Sequence, residues 1–139
     1  MTGACLCGSV TWSTDAPLRQ ILECHCRRCT RSTGNYLAAT AAPTTDVTIA
    51  GDTLTWYSPT DDPNVAYGFC STCGASLFFR SGVVDATNEL TSICAGFIDG
   101  PSGLRTIEIW FADHAADHVR LDRSPGSTIT QHAAAPTES

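Results

Sequence analysis

Seven of the eight cysteines in this chain fall into three tight clusters: Cys5-Leu-Cys7, Cys24-His-Cys26-Arg-Arg-Cys29 and Cys70-Ser-Thr-Cys73. A closed structural zinc site takes four protein ligands, whereas a catalytic one keeps three and leaves a place for water or substrate. Zn–S bonds of about 2.3 Å in a tetrahedron put two sulfurs about 3.8 Å apart. A C-x-x-C turn reaches that spacing, and the glycine after Cys73 permits the chain to return tightly. A C-x-C pair on an extended segment also presents both sulfurs to one side. Cys5, Cys7, Cys70 and Cys73 therefore make a complete sulfur cage, expected to hold a structural zinc. Cys24, Cys26 and Cys29 supply three thiolates from one loop, expected to hold a second, open zinc. The fourth position there falls to water, an external thiol or a local side chain. His25 sits between two ligands and is expected to point away, packing or donating a hydrogen bond behind the site.

At 139 residues the chain is of a length for one domain, with a hydrophobic core that metal would supplement. No run approaches the 18 or so apolar residues of a membrane span, and the N-terminus does not read as a secretory signal. Eight cysteines without such a signal point to metal or catalytic thiols in the cytoplasm rather than to disulfides. A formal charge of −6 and the absence of lysine argue against nucleic acid as a partner. Three of the eight arginines, Arg27, Arg28 and Arg31, nevertheless lie inside and just after the three-cysteine cluster. Such a focused positive patch suits a small anionic substrate, or else the arginines are solvated or pair with nearby acids.

Most local patterns indicate strands. Apolar and polar residues alternate around Val10 and Trp12, over 54–58 and over 106–111, with short apolar or β-branched runs at 36–40, 65–69, 77–80 and 90–97. Turn residues at 43–46, 50–52, 59–63 and 100–103 separate them. The segment from Cys24 to Gly34 reads as a metal loop with one helical turn, and 113–119 as a second short helix. Residues 124–139, rich in Ser, Thr, Pro and Ala, read as a mobile tail behind a domain over 1–123, which speaks against a metal role for His132.

Competing chemistries are weaker. A thioredoxin-type dithiol belongs beside a βαβ pattern, which the chain lacks. Cys94 lies in an apolar run and reads as a buried small residue. Trp12, Trp56 and Trp110 read as core. His114 and His118 have the i, i+4 spacing of a helical metal pair, but no third ligand is near in sequence.

The segments Gly3-Ala-Cys-Leu-Cys-Gly-Ser-Val-Thr-Trp12, Cys24-His-Cys-Arg-Arg-Cys29 with Arg31 and Gly34, and Gly68-Phe-Cys-Ser-Thr-Cys-Gly74 with Leu77-Phe-Phe-Arg80 resemble the glutathione-dependent formaldehyde-activating enzyme family, which includes centromere protein V. The similarity runs from about residue 3 to residue 119. It implies a mostly β, β-tent fold of antiparallel sheets around zinc sites. It also implies the same division of cysteines, with Cys5, Cys7, Cys70 and Cys73 structural and Cys24, Cys26 and Cys29 catalytic. The activity implied is that of a carbon–sulfur lyase joining a small thiol, glutathione or an analogue, to formaldehyde or another aldehyde, with Arg27, Arg28 and Arg31 available for a substrate carboxylate. The stretch from Glu108 to Asp117 departs from the family, whose last core strand often ends in histidine followed by Lys-Ala-Pro-Trp. The residue usage suggests a GC-rich bacterial genome, and some such bacteria use other thiols. A zinc-stabilised binding module without catalysis is the alternative.

Overall fold

The computed structural model describes residues 1–82, 90–121 and 128–135. In chain order it contains β1 (Thr2–Ala4), β2 (Thr11–Thr14), β3 (Ile21–Cys24), α1 (Arg27–Thr33), β4 (Leu37–Pro43), β5 (Val47–Ala50), β6 (Leu54–Tyr57), β7 (Val65–Cys70), β8 (Ser76–Ser81), β9 (Leu90–Cys94), β10 (Thr106–Trp110) and β11 (Thr130–Gln131). Three-residue 3₁₀ turns at Thr44–Asp46, Ala95–Phe97 and Ala112–His114 complete it. The mostly β class is as the strand patterns indicate. Where the length points to one domain, the contacts group into two compact units: Met1–Arg19 with Thr40–Gly103, and Gln20–Ala39 with Leu104–Ser139.

In the first unit, β1, β2 and β5 form an antiparallel sheet in which Trp12 lies between Gly3 and Ile49. Gly3 is required there, because a Cβ would stand 1.8 Å from the Phe97 carbonyl oxygen and 2.3 Å from Trp12 Nε1. An antiparallel meander runs from β6 through β7 and β8 to β9, pairing Trp56 with Gly68, and Phe78 with both Gly68 and Ile93. Alternate residues of β7 (Ala66, Gly68 and Cys70) turn inward, as the period of two requires. Val10, Trp12, Leu77, Phe78 and Ile93 form one core cluster together with Cys5 and Cys70. Two metal-ligand candidates thus belong to the core itself, while Cys7 is exposed and Cys73 is half-buried.

In the second unit, β3 lies between the start of β4, to which it is antiparallel, and β10, to which it is parallel. β11 adds to the other side of β10, also parallel. These parallel pairs depart from the antiparallel sheets expected. The long connection from β3 to β10 permits them, since a parallel pair needs a long crossover. All four residues of β3 are buried, Glu23 among them. The second helix expected over 113–119 is reduced to the 3₁₀ turn Ala112–His114. Within the stretch read as a tail, Thr130–Gln131 pair with β10, and His132 bonds through its backbone to Ile109 and Ala112. Residues 122–127 and 136–139 lie outside the described residues. Among the described residues no helix is long and apolar enough to cross a membrane.

Candidate metal centres and the cavity beside them

The four-sulfur group is built from two similar turns. Cys5 donates its N–H to the Val10 carbonyl at 2.9 Å, and Cys70 donates to Ala75 at 2.9 Å, so each chain reverses over the same interval. Gly8 and Gly74 follow the second cysteine of each pair with φ of 81° and 77°, and each donates its N–H back to the carbonyl of the first. A side chain at either position would be strained in this left-handed region. Cys5-Leu-Cys7 is therefore a turn, not the extended pair expected, and it still converges. Cys5 Sγ and Cys7 Sγ are 3.6 Å apart, and Cys7 Sγ and Cys70 Sγ 3.7 Å. Those separations match the edge of a ZnS₄ tetrahedron.

Two hydroxyls that sequence reasoning missed adjoin this cage. Ser9 Oγ lies 3.0 Å from Cys7 Sγ and 3.3 Å from Cys70 Sγ, and Thr53 Oγ1 lies 3.3 Å from Cys70 Sγ. Hydrogen bonds from Ser9 and then Thr53, with the Cys73 backbone, bring the Cys70 thiol down to about 5. Only Ser9 was findable from spacing, because it stands two residues beyond Cys7.

The three-sulfur group depends on how β3 hands over to α1. Cys24 ends β3, and Cys26, with extended φ and ψ of −62° and 157°, is the N-cap. Its sulfur accepts the backbone N–H of Cys29 at 3.4 Å, filling the place usually taken by a Ser or Asp oxygen. The C-x-x-C spacing is here the N-cap-to-N3 spacing of a helix start. Gly34, with φ of 79°, ends the helix by donating its N–H to Thr30. The ligand atoms of Cys24, Cys26 and Cys29 lie within 4.8 Å of one another, and among the described residues no histidine or carboxylate completes that group. Hydrogen bonds from Cys24 and then Cys29 hold the Cys26 thiol well below its usual range. The bond with Cys26 pushes Cys24 up, and bonds with Cys24 and then Cys26 push Cys29 up. Three thiolates this close together repel one another. Ionising all three requires a compensating positive charge, which a divalent metal supplies.

His25 stands behind the loop, as its position between two ligands led one to expect. It is 1% exposed, donates its backbone N–H to Trp110 at 3.0 Å, and packs its ring against Tyr36 at 5.0 Å. Its Nε2 is 3.8 Å from the Glu23 carboxylate, which also accepts from Thr106 Oγ1 at 3.2 Å. Glu23 and Tyr36 carried no signal in the sequence beyond nearness to the cysteines. Cys94 is half-buried, and desolvation pushes its thiol up to about 12.

Along α1, Arg27, Thr30 and Arg31 share one flank at i, i+3 and i+4. With His25 and His114 they line a cavity of about 250 Å³. Arg28, grouped with the other two in the sequence, does not line it. His114 is carried there by the 3₁₀ turn after β10, and its ring packs tilted against Phe111 at 5.5 Å. Phe111 has φ of 55°, a conformation costing a bulky residue about 1–3 kcal/mol. His118 is not at the cavity, because 112–118 is not the helix that would align it with His114. A larger concavity of about 500 Å³ in the first unit is lined by residues such as Asp15 and Asp46 and holds neither sulfur nor cation.

Residues 1–113 match the family model described as glutathione-dependent formaldehyde-activating enzyme. The chain belongs to that family. A crystal structure of a Rhodobacter sphaeroides protein is similar to it, with a TM-score of 0.56 and 25% identity, covering 73% of this chain and 91% of that one. No curated protein matches at a significant level. The formaldehyde-activating family match takes in both cysteine groups, α1 and the strained Phe111, and ends just before His114.

Proposed function

We propose that this chain is a cytoplasmic zinc-dependent carbon–sulfur lyase-type enzyme that forms or cleaves an S-hydroxymethyl adduct. Its substrates are a small thiol, glutathione or an analogue, and formaldehyde or another aldehyde. In the forming direction the thiol sulfur bonds to the carbonyl carbon and the thiol proton ends on the carbonyl oxygen, so no oxidant is consumed. The observation that supports this reading is the unequal pair of sulfur groups, four ligands in one and three in the other. Zinc held by Cys24, Cys26 and Cys29 would supply a Lewis acid that lowers the pKa of the incoming thiol or polarises the aldehyde.

The chain's own residues fix where this happens. β3 and the α1 cap set the three sulfurs, and His25, braced by Tyr36 and Glu23, holds the loop from behind. Cys5, Cys7, Cys70 and Cys73 keep the first unit closed and take no part in turnover. Domain 1–123 carries both zinc ions in this reading.

The test combines metal content with spectroscopy. Cys26→Ser and Cys29→Ser should each leave a folded protein with about one zinc ion and no turnover, measured by magnetisation-exchange NMR on formaldehyde with a panel of thiols after subtracting the spontaneous reaction. In cobalt-substituted protein an added thiol should change the ligand-field spectrum. A spectrum indifferent to every thiol would instead indicate the zinc-stabilised binding module.

A further inference from the structure

The turn that brings His114 to the cavity is held in a conformation its own residues do not favour. Phe111 has φ of 55°. A bulky side chain is disfavoured in that left-handed region and persists there only where surrounding contacts over-determine it. The local contacts are thin. The 3₁₀ turn Ala112–His114 has no side-chain cap, and its bonds run from the His114 N–H to Phe111 at 2.9 Å and from the Ala115 N–H to Ala112 at 3.2 Å. Bonds of this i to i+3 kind have poorer geometry than those of an α-helix. Something outside the turn fixes it.

The C-terminal strand is placed to do so. His132 donates its N–H to the Ile109 carbonyl at 2.8 Å, and its own carbonyl accepts the Ala112 N–H at 2.8 Å. A single residue after β11 thus grips the chain on either side of Trp110 and Phe111. The grip is itself anchored: Thr130 and Gln131 pair with Glu108 and Ile109, and Gln131 Nε2 donates to the Leu121 carbonyl at 2.8 Å. On the opposite edge of β10, Trp110 pairs with Cys24 and accepts the His25 N–H at 3.0 Å. One strand therefore carries the sulfur loop on one edge and the C-terminal segment on the other. The His132 ring contributes less. Its Nε2 is 3.8 Å from the Glu108 carboxylate, beyond hydrogen-bond range, and that carboxylate already accepts from Trp110 Nε1 at 2.6 Å.

We infer that Thr130, Gln131 and His132 form a clasp, a set of positioning residues whose backbone keeps Phe111 left-handed and so holds His114 at the wall of the cavity beside α1. Formation of that wall is thereby assigned to a segment beyond residues 1–113, over which the family match runs. The inference stands on backbone geometry within the second unit and is independent of the thiol chemistry. When the clasp opens, the cavity loses its His114 wall while α1 keeps Arg27, Thr30 and Arg31 in place.

Amide hydrogen exchange of zinc-loaded, full-length protein, read by NMR, tests this. In the unaltered chain Ala112, His114 and His132 should share one opening event, with protection factors within about threefold of each other. Protection of His114 about tenfold above that of His132 would show that the turn outlasts the strand, which overturns the clasp. His132→Pro removes the N–H that bonds to Ile109. It should speed exchange at Ala112 and His114 at least about tenfold and move the His114 ring signals, because packing against Phe111 is lost. The His25 amide should keep its protection, and zinc content should hold. Loss of all of these together would mean that the segment only stabilises the unit as a whole, and overturns a local clasp. Adding Phe111→Gly to His132→Pro should restore protection at His114 but not at Ala112, since glycine adopts the left-handed region freely. No recovery at His114 refutes the claim that the clasp holds a strained residue. His132→Ala keeps both backbone bonds and should leave His114 exchange within about twofold of the unaltered protein. A tenfold loss of protection there would assign the hold to the ring and overturn the backbone clasp.

Discussion

Removing half of the four-sulfur group should damage the fold far more than removing one sulfur of the three-sulfur group. The structure lets the difference be estimated. Cys7 and Cys70 are 63 positions apart, so a metal joining them closes a long loop in the unfolded chain. Taking the cross-link relation for disulfides as a guide, a loop of that length corresponds to about 4 kcal/mol at 25 °C. Cys24, Cys26 and Cys29 span a single turn that β3 and α1 already order, so a metal there removes little further freedom. Cys70→Ser combined with Cys73→Ser should then lower the melting temperature of zinc-loaded protein by roughly 12 °C, at about 3 °C per kcal/mol for a chain of this size. A buried hydroxyl at position 70 adds to that loss, because Cys70 is fully buried in the core cluster. Cys26→Ser should lower it by no more than about 3 °C, since serine is itself a good N-cap. Calorimetry with zinc content measured on the same samples gives both numbers. If Cys26→Ser melts as early as the double variant, the division into structural and open sites is wrong.

Gly3→Ala should destabilise the first unit by several kcal/mol, because its methyl would collide with the Phe97 carbonyl and the Trp12 ring; denaturant unfolding followed by tryptophan fluorescence measures it. Leu77→Ala, at a fully buried core position, should cost about 2–5 kcal/mol in the same assay and leave metal content unchanged. Metal binding to the three-sulfur group should weaken as pH falls. Cys24, pushed up to about 11, and Cys29, pushed higher, hold protons in the metal-free protein while Cys26 does not. Zinc must displace about two protons, so chelator competition between pH 6 and 8 should show affinity rising about a hundredfold per unit. A slope near zero would mean that the thiols are already ionised before metal arrives.

Strands that alternate, such as β2 and β6, or that form apolar or β-branched runs, such as β4 and β8, were legible, whereas the short alternating β5 was missed. β2, β6 and β7 each show a period of two, because one face of each is more buried than the other, while in β10 the exposed Ile107 and the buried Ile109 share a face. β3 gave no such sign. It lies between β4 and β10 and is buried at Ile21, Leu22, Glu23 and Cys24 alike, so its pattern is continuous and a carboxylate interrupts it. β11 is two exposed residues held by backbone pairing to β10, which no side-chain pattern records. The sulfur groups were visible because each is assembled from closely spaced cysteines on short local turns. The cavity was only half visible: two of the three arginines line it, and His114 reaches it through a turn whose geometry depends on φ at Phe111.

The split between Arg27, Arg31 and Cys29 shows why neighbours in sequence need not serve one end of a ligand. A loop would have allowed arginines and sulfurs to face the same way, as first expected of this segment. The cap formed by Cys26 instead starts a helix, and from that residue on the 3.6-residue period decides which side chains meet. Cys29 is turned inward and Arg27 and Arg31 outward by one choice of backbone, so the sulfur flank and the guanidinium flank of α1 cannot be adjusted independently. Replacing Gly34, which ends α1, should test this coupling. Gly34→Val, strained at a φ of 79° with no atom near its Cβ to clash, disturbs only the helix end. If α1 sets that wall of the cavity, the variant should shift the His114 ring signals while zinc content holds. Unchanged signals would show that the cavity is positioned by its other wall, the turn bearing His114.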